Sequence, residues 1–321
     1  MSRIYEALQK AESEREQERQ EREPESQERP IAVPPSRVAA ALAQYDAAVA
    51  AAAAPMVSTV DAPPPVDVNT GVGINLSAIV KRPWAPSLAH LPALQERGPA
   101  VEQFRSLRSR IFELRDIKPL KSILVSSGLP QEGKSFVSMN LAISLARHKN
   151  SKVLLIDGDM RRYSLHELLG CESNPGLADY LAGKASIAEI LQQQAPPTDE
   201  SGPRSAFLQN LTFIPGGNGG DKAADLSGNP RFGELIKLAA PHFDWIIVDS
   251  SPVLPVSDAV NLARSCDGVL LVARGGVTKY PVAQRATAEL RSANLLGFVL
   301  NAVLDQPQVG SYYGYDAATK D

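Results

Sequence analysis

Cysteine is nearly absent: Cys171 and Cys266 are the only two in 321 residues. They stand far apart, with no CxxC spacing and no Cys/His cluster beside them. This excludes a disulfide-stapled scaffold and a structural zinc site, and it suits a reducing compartment. No apolar run approaches the roughly 18–20 residues needed to span a bilayer. An excess of either charge is also missing, since 33 Lys+Arg against 36 Asp+Glu leave a net charge of −3. A polycationic surface for nucleic acid is therefore not expected. The opening MSRIYEALQKAESERE is not a secretory signal, because its short apolar stretch runs straight into dense charge. Aromatics are scarce at 6%, yet three of the eight tyrosines, Tyr312, Tyr313 and Tyr315, crowd into the last ten residues.

The composition otherwise suits a globular protein, 44% hydrophobic and 21% charged, and it shifts sharply near residue 100. Residues 11–30 hold eight Glu and four Arg, residues 39–54 are mostly alanine, and twelve of the 25 prolines precede residue 100. Such a stretch buries too little apolar area to offset its ordering entropy. Four regions are expected: a short amphipathic helix over 1–11, a disordered linker over 12–83, a folded domain over 84–309 and a tyrosine-rich tail over 310–321. In the first, Ile4, Leu8 and Ala11 fall on one helical stripe. That stripe reads either as a docking helix for a partner or as a nascent turn, since so short a helix is marginal in water.

From about residue 100, strand and helix alternate. SILVSS (122–127), KVLLID (152–157), WIIVDS (245–250), GVLLVAR (268–274) and GFVLNAV (297–303) are continuous apolar runs. Strands covered on both faces read this way. Residues 134–148 read as a helix, and the Pro-rich 192–206 as an exposed loop. The pattern is that of a doubly wound α/β domain with a mostly parallel sheet.

The clearest chemistry is Gly128-Leu-Pro-Gln-Glu-Gly133-Lys134-Ser135, which fits G-x-x-x-x-G-K-[ST] between a strand and a helix, the context of a P-loop. Backbone N–H groups of such a loop point at phosphate oxygens. Lys134 would reach the β/γ-phosphates and the Ser135 hydroxyl would ligate Mg²⁺. Gly128, Pro130, Gln131, Glu132, Gly133, Lys134, Ser135 and Phe136 are the expected nucleotide contacts, with Gln131 asking a non-glycine residue to take loop geometry. Asp249 ends one apolar strand; Asp157 and Asp159 end another. A parallel sheet delivers such ends to one crevice, so Ser135, Asp157 and Asp249 are candidate Mg²⁺ ligands. Arg161 and Arg162 read as contacts to phosphate or a neighbouring subunit, or as salt-bridged side chains.

In order and spacing, these segments resemble the bacterial tyrosine kinases (BY-kinases) of capsule and exopolysaccharide synthesis, P-loop proteins related in fold to the ParA/MinD ATPases. The elements that carry the resemblance are Glu102-x-x-Arg105-x-x-Arg108, SSGLPQEGKSFVSMNLA, VLLIDGDMRR, NPGLADYLAGKASIAEIL, FDWIIVDSSPVLPVSDAVNLARSCDGVLLVAR, LLGFVLNAV and the tail SYYGYDAATKD. The resemblance implies Mg·ATP-dependent phosphorylation of Tyr312, Tyr313 and Tyr315 in trans. It gives catalytic roles to Lys134, Asp157, Asp159 and Asp249, with Asp157 orienting the tyrosine hydroxyl or accepting its proton. Glu102, Arg105 and Arg108 would pack protomers into a ring. Asn301 sits where related folds place an adenine contact, with a satisfied strand-end asparagine as the alternative. The family's usual Asp-Thr-Pro-Pro is here Asp249-Ser250-Ser251-Pro252, which keeps a hydroxyl after the aspartate.

The partners implied are further copies of the chain, a membrane polysaccharide co-polymerase (chain-length determinant) as activator, and a cognate tyrosine phosphatase, with no nucleic acid. The expected location is cytoplasmic, at the inner face of the membrane through that partner. The alternatives are a ParA/MinD-type positioning ATPase, whose signature lysine is replaced here by Leu129, and an ATP-dependent scaffold of a polysaccharide export complex with weak catalysis.

Overall fold

A computed structural model describes residue 74 and residues 78–148, 151–196 and 208–303. The 1–11 helix and the tail with Tyr312, Tyr313 and Tyr315 lie outside these residues. Eight strands form one sheet: β1 (Val80–Arg82), β2 (Ser122–Ser127), β3 (Val153–Asp157), β4 (Gln192–Gln194), β5 (Leu211–Ile214), β6 (Trp245–Asp249), β7 (Gly268–Arg274) and β8 (Leu295–Asn301). Their order across the sheet is β1-β4-β5-β3-β6-β2-β7-β8. Every pairing is parallel except β4 with β5. The chain moves from β2 to one side, through β3, and later returns to the other side for β7 and β8. A doubly wound sheet places its ligand crevice at such a reversal.

β2, β3, β5 and β6 are buried along their whole length. Apolar side chains divide between the two faces, with Leu124, Leu154, Ile246 and Val248 in one cluster and Ile123, Leu155, Phe213 and Ile247 in the other. Helix α1 (Pro99–Ile117) and helix α2 (Lys134–Ala146) cover the second face. Residues Val137–Ala146 are all buried, because α2 lies between the sheet and α1. A helix apolar on every side can only be a core helix. α1 meets it through Val101, Phe104 and Ile111, and the Phe104 ring lies 5.7 Å from that of Phe136. The polar residues of α2 are satisfied inside: the Asn140 side chain accepts from the Ala93 amide at 3.0 Å and donates to the Phe136 carbonyl at 2.8 Å.

Two expectations are corrected. The linker was expected to run to residue 83, but β1 joins the sheet in register with β4, and Ile74 and Ile79 are in the core. The exposed loop expected from 192 begins instead with β4. Its three glutamines pair in the ladder, and two are also held by their own amides, Gln192 to the Glu172 carbonyl at 3.0 Å and Gln193 to the Thr212 hydroxyl at 2.8 Å. Among the described residues no helix is long and apolar enough to cross a membrane.

Candidate active site

β2 ends at Ser127, whose hydroxyl donates to the Leu129 carbonyl at 2.7 Å and starts the loop's turn. Gln131 and Gly133 take left-handed backbone at φ 65° and 97°, so the strain expected at Gln131 is present. The buried Glu132 carboxylate accepts from the Leu129 amide at 2.8 Å and from the Thr278 hydroxyl. Thr278 in turn accepts from the Arg274 amide at 2.8 Å. On the other side, the Asn301 amide donates to the Glu132 carbonyl at 3.0 Å. A Cβ at position 133 would lie 1.9 Å from Asn301 Nδ2, so a side chain there would displace that amide from the loop, and the left-handed φ favours glycine independently. The phosphate loop is thus fastened to the β7 exit and to the end of β8. Asn301 braces the loop; the contact shown is to the backbone of Glu132.

Three strand ends meet beside this loop. Asp157 and Asp249 are register partners on β3 and β6. The Gly158 amide donates to the Asp249 carbonyl at 2.9 Å, and a Cβ on Gly158 would sit 2.6 Å from that oxygen. Lys134 Nζ lies 2.9 Å from Asp159 Oδ2, an ion pair only slightly exposed. The Ser135 hydroxyl donates to Asp249 Oδ2 at 2.7 Å. Asp249 Oδ1 is buried and has no hydrogen-bond partner among the described residues. Asp157 is fully buried, and its two oxygens accept the amides of Asp159 (3.2 Å), Ser164 (3.1 Å) and Leu165 (3.1 Å). It therefore shapes the loop that follows it, and each oxygen keeps lone-pair capacity.

Charge is balanced against burial here. Burial alone would lower Lys134, but Asp249, Asp159 and Asp157 outweigh it and hold the ammonium above its ordinary value. Burial and the Asp249 charge push Asp157 well above the carboxylate range, against the pull of the Leu165 amide. Burial also raises Asp249, opposed by Lys134 and Ser135. The crevice gathers three buried carboxyl groups around one cation, and added positive charge there would favour their ionised forms.

The expected residues do not all converge. Lys134, Ser135, Asp157, Asp159 and Asp249 come together. Phe136 turns its ring into the packing with Phe104. Pro130 and Gln131 are exposed on the loop's rim. Ser250, expected to keep a hydroxyl for the site, donates it to the Val125 carbonyl of β2 at 3.0 Å instead. Arg161 is salt-bridged, its Nε 2.7 Å from Asp258 Oδ2. Glu102 pairs with Arg105 on α1, and Arg108 turns inward to the Ser144 carbonyl at 2.7 Å. Thr278 and Asp258 were missed. Asp258 opens a helix, where an acid is ordinary, and Thr278 sits in a turn with no motif.

The residues fit a magnesium nucleotide. The unpartnered Asp249 oxygen beside the Ser135 hydroxyl suits a hard cation, and the start of α2 offers unpaired amides to phosphate. Among the described residues no group of three His, Cys, Asp or Glu could hold a metal ion by itself. A Mg²⁺ here would therefore draw on Ser135 and on phosphate oxygens to complete its shell.

No family model matches the sequence. The chain is 34% identical over 220 residues to the tyrosine-protein kinase wzc of Salmonella typhimurium, a match covering 67% of this chain and 28% of that protein. It is similar to the solved kinase domain of the Escherichia coli tyrosine kinase ETK, with 31% identity and a TM-score of 0.59 over 69% of this chain and 82% of that one. It is also similar to the BceF tyrosine kinase domain, with 30% identity and a TM-score of 0.56 over 68% of this chain and 82% of that one. The matched segment spans under a third of the length of the curated relatives. With its motifs in order on the fold of those kinase domains, the chain belongs to the bacterial tyrosine kinase (BY-kinase) family.

Proposed function

We propose that this protein is an ATP-dependent protein-tyrosine kinase that phosphorylates Tyr312, Tyr313 and Tyr315 of neighbouring copies. In doing so it regulates polymerisation or export of a capsular or extracellular polysaccharide. The observation that carries the reading is the convergence of Lys134, Ser135, Asp157, Asp159 and Asp249 at the ends of β2, β3 and β6. Mg·ATP, when bound, supplies the transferable phosphoryl group and neutralises its charge. The chain's own residues do the positioning, the main demand of phosphoryl transfer. Lys134 is kept charged by three carboxylates and can pass from Asp159 to phosphate oxygens. Ser135 and Asp249 present adjacent oxygens for the cation. Asp157, with its raised proton affinity, is a base of suitable strength for a phenolic proton. Glu102 and Arg105 serve ring assembly from a helix that Arg108 ties to α2, and a membrane co-polymerase and a tyrosine phosphatase complete the system at the inner membrane face.

The test is incubation of the full chain with Mg·ATP, followed by phosphosite mapping. Phosphotyrosine at Tyr312, Tyr313 and Tyr315 is expected. Lys134→Met should reduce it by at least about a hundredfold, the scale of losing one electrostatic clamp. Release of inorganic phosphate with no phosphotyrosine would instead identify a positioning ATPase.

A further inference from the structure

One edge of the sheet carries apolar side chains that the described residues leave uncovered. β8 pairs with β7 alone among the described strands, so its outer row of backbone N–H and C=O groups has no strand beside it there. Val299 packs against the core, and strand alternation puts Phe298 and Leu300 together on the opposite face. They are 46% and 68% exposed, although their register partners on β7, Leu271 and Ala273, are buried. Val303 just past the strand is exposed too, as are Val277 and Tyr280 after β7. An exposed apolar edge is a template for a further strand.

The chain itself continues from this edge. Residues 304–321 follow Val303 and hold Tyr312, Tyr313 and Tyr315. An antiparallel return needs only a short connection, and the Asp-Gln-Pro-Gln at 305–308 has turn chemistry. With those four residues as the connection, Tyr313 falls opposite Leu300 and Tyr315 opposite Phe298. Residues two apart share one face of a strand, so both tyrosines meet both exposed side chains. Charge agrees with this pairing. Residues 268–303 hold Arg274, Lys279, Arg285 and Arg291, all exposed, against the one carboxylate of Glu289. The tail holds Asp305, Asp316 and Asp321 against Lys320.

We propose that the chain's own tail returns along β8 as a ninth strand, with Tyr313 against Leu300 and Tyr315 against Phe298. Docked, these tyrosines are withheld from transfer, and only the undocked fraction is open to phosphorylation. That consequence rests on the kinase reading, while the docking does not.

The experiment follows hydrogen–deuterium exchange, residue by residue, in the full chain, free of nucleotide and with an unphosphorylated tail by intact mass. Slow exchange is expected at the β8 amides that face away from β7, independent of chain concentration. Tyr313→Ser with Tyr315→Ser should speed it about tenfold, the scale of uncovering one or two apolar contacts, and leave β2 and β6 unchanged. Exchange at those amides as fast in the parent as in the variant overturns the proposal. Protection that survives the tyrosine changes assigns the edge to another occupant, protection lost on dilution assigns it to a second copy, and either result overturns docking by the chain's own tail. The measurement needs no catalysis, so absence of phosphotyrosine after incubation with Mg·ATP would remove the regulatory consequence and leave the docking standing.

Discussion

Asp249 concentrates the conflict between stability and chemistry in one side chain. One oxygen takes the Ser135 hydroxyl and the other is buried with no partner among the described residues. Its folded-state proton affinity, like that of Asp157, is raised first of all by burial. The folded nucleotide-free chain therefore holds protons that the unfolded chain has released. The stability this gives is complete below the unfolded value of about 4 and is lost as pH rises through the raised folded values. Asp249→Asn should abolish phosphoryl transfer. Relative to the parent, it should also gain melting temperature steadily as pH rises from about 4 toward neutrality. A pH series of thermal melts on the nucleotide-free chain checks this, and a constant difference would refute the burial account. Lys134, Ser135 and Asp249 were legible in the sequence because the P-loop spacing and a strand-terminal aspartate are local signals. The bond between Glu132 and Thr278 was not, since 146 residues separate the partners and Thr278 stands in an ordinary turn. Nor could the sequence say where the hydroxyl of Ser250 would point, because that depends on β2 lying beside β6.

At the scale of elements, legibility followed length and apolarity. The five long strands are continuous hydrophobic runs, and their identity survived with small shifts at the ends. β1 and β4 are three residues each, Val-Lys-Arg and Gln-Gln-Gln. Nothing in such segments speaks of a strand until the parallel pairing supplies their hydrogen bonds. Their presence moves the functional start of the folded domain. Ile74 and Ile79 are buried in the same cluster as Leu154 and Ile246. Removing residues 1–68, which precede every described residue, should leave the fold's stability nearly unchanged. Removing residues 1–83 should cost about 3–6 kcal/mol, from two isoleucines at about 1.5–3 kcal/mol each. Urea denaturation of the two truncated chains measures the difference. Equal midpoints and slopes would show that β1 is dispensable.

For the whole molecule, the motif proposed for ring assembly is divided in two by the fold. Glu102 and Arg105 keep side-chain exposures of 61% and 42% and can reach a neighbouring copy. Arg108 is committed to its own α2. Glu102→Ala with Arg105→Ala should therefore lower the mass in solution to that of one chain without loss of melting temperature. Light scattering reads the mass, and an unchanged value would remove these residues from assembly. A different connection runs through the edge of the sheet. β8 is bonded to β7 alone among the described strands, and its last residue, Asn301, holds the carbonyl of Glu132 in the phosphate loop. An edge strand is the easiest part of a sheet to peel. A displacement of the end of β8 would therefore reach the loop through the bond between Asn301 and the Glu132 carbonyl. By thermodynamic reciprocity, a nucleotide that tightens the loop raises the force needed to strip the strand. The last of the described strands is in this sense a mechanical lead into the phosphate loop.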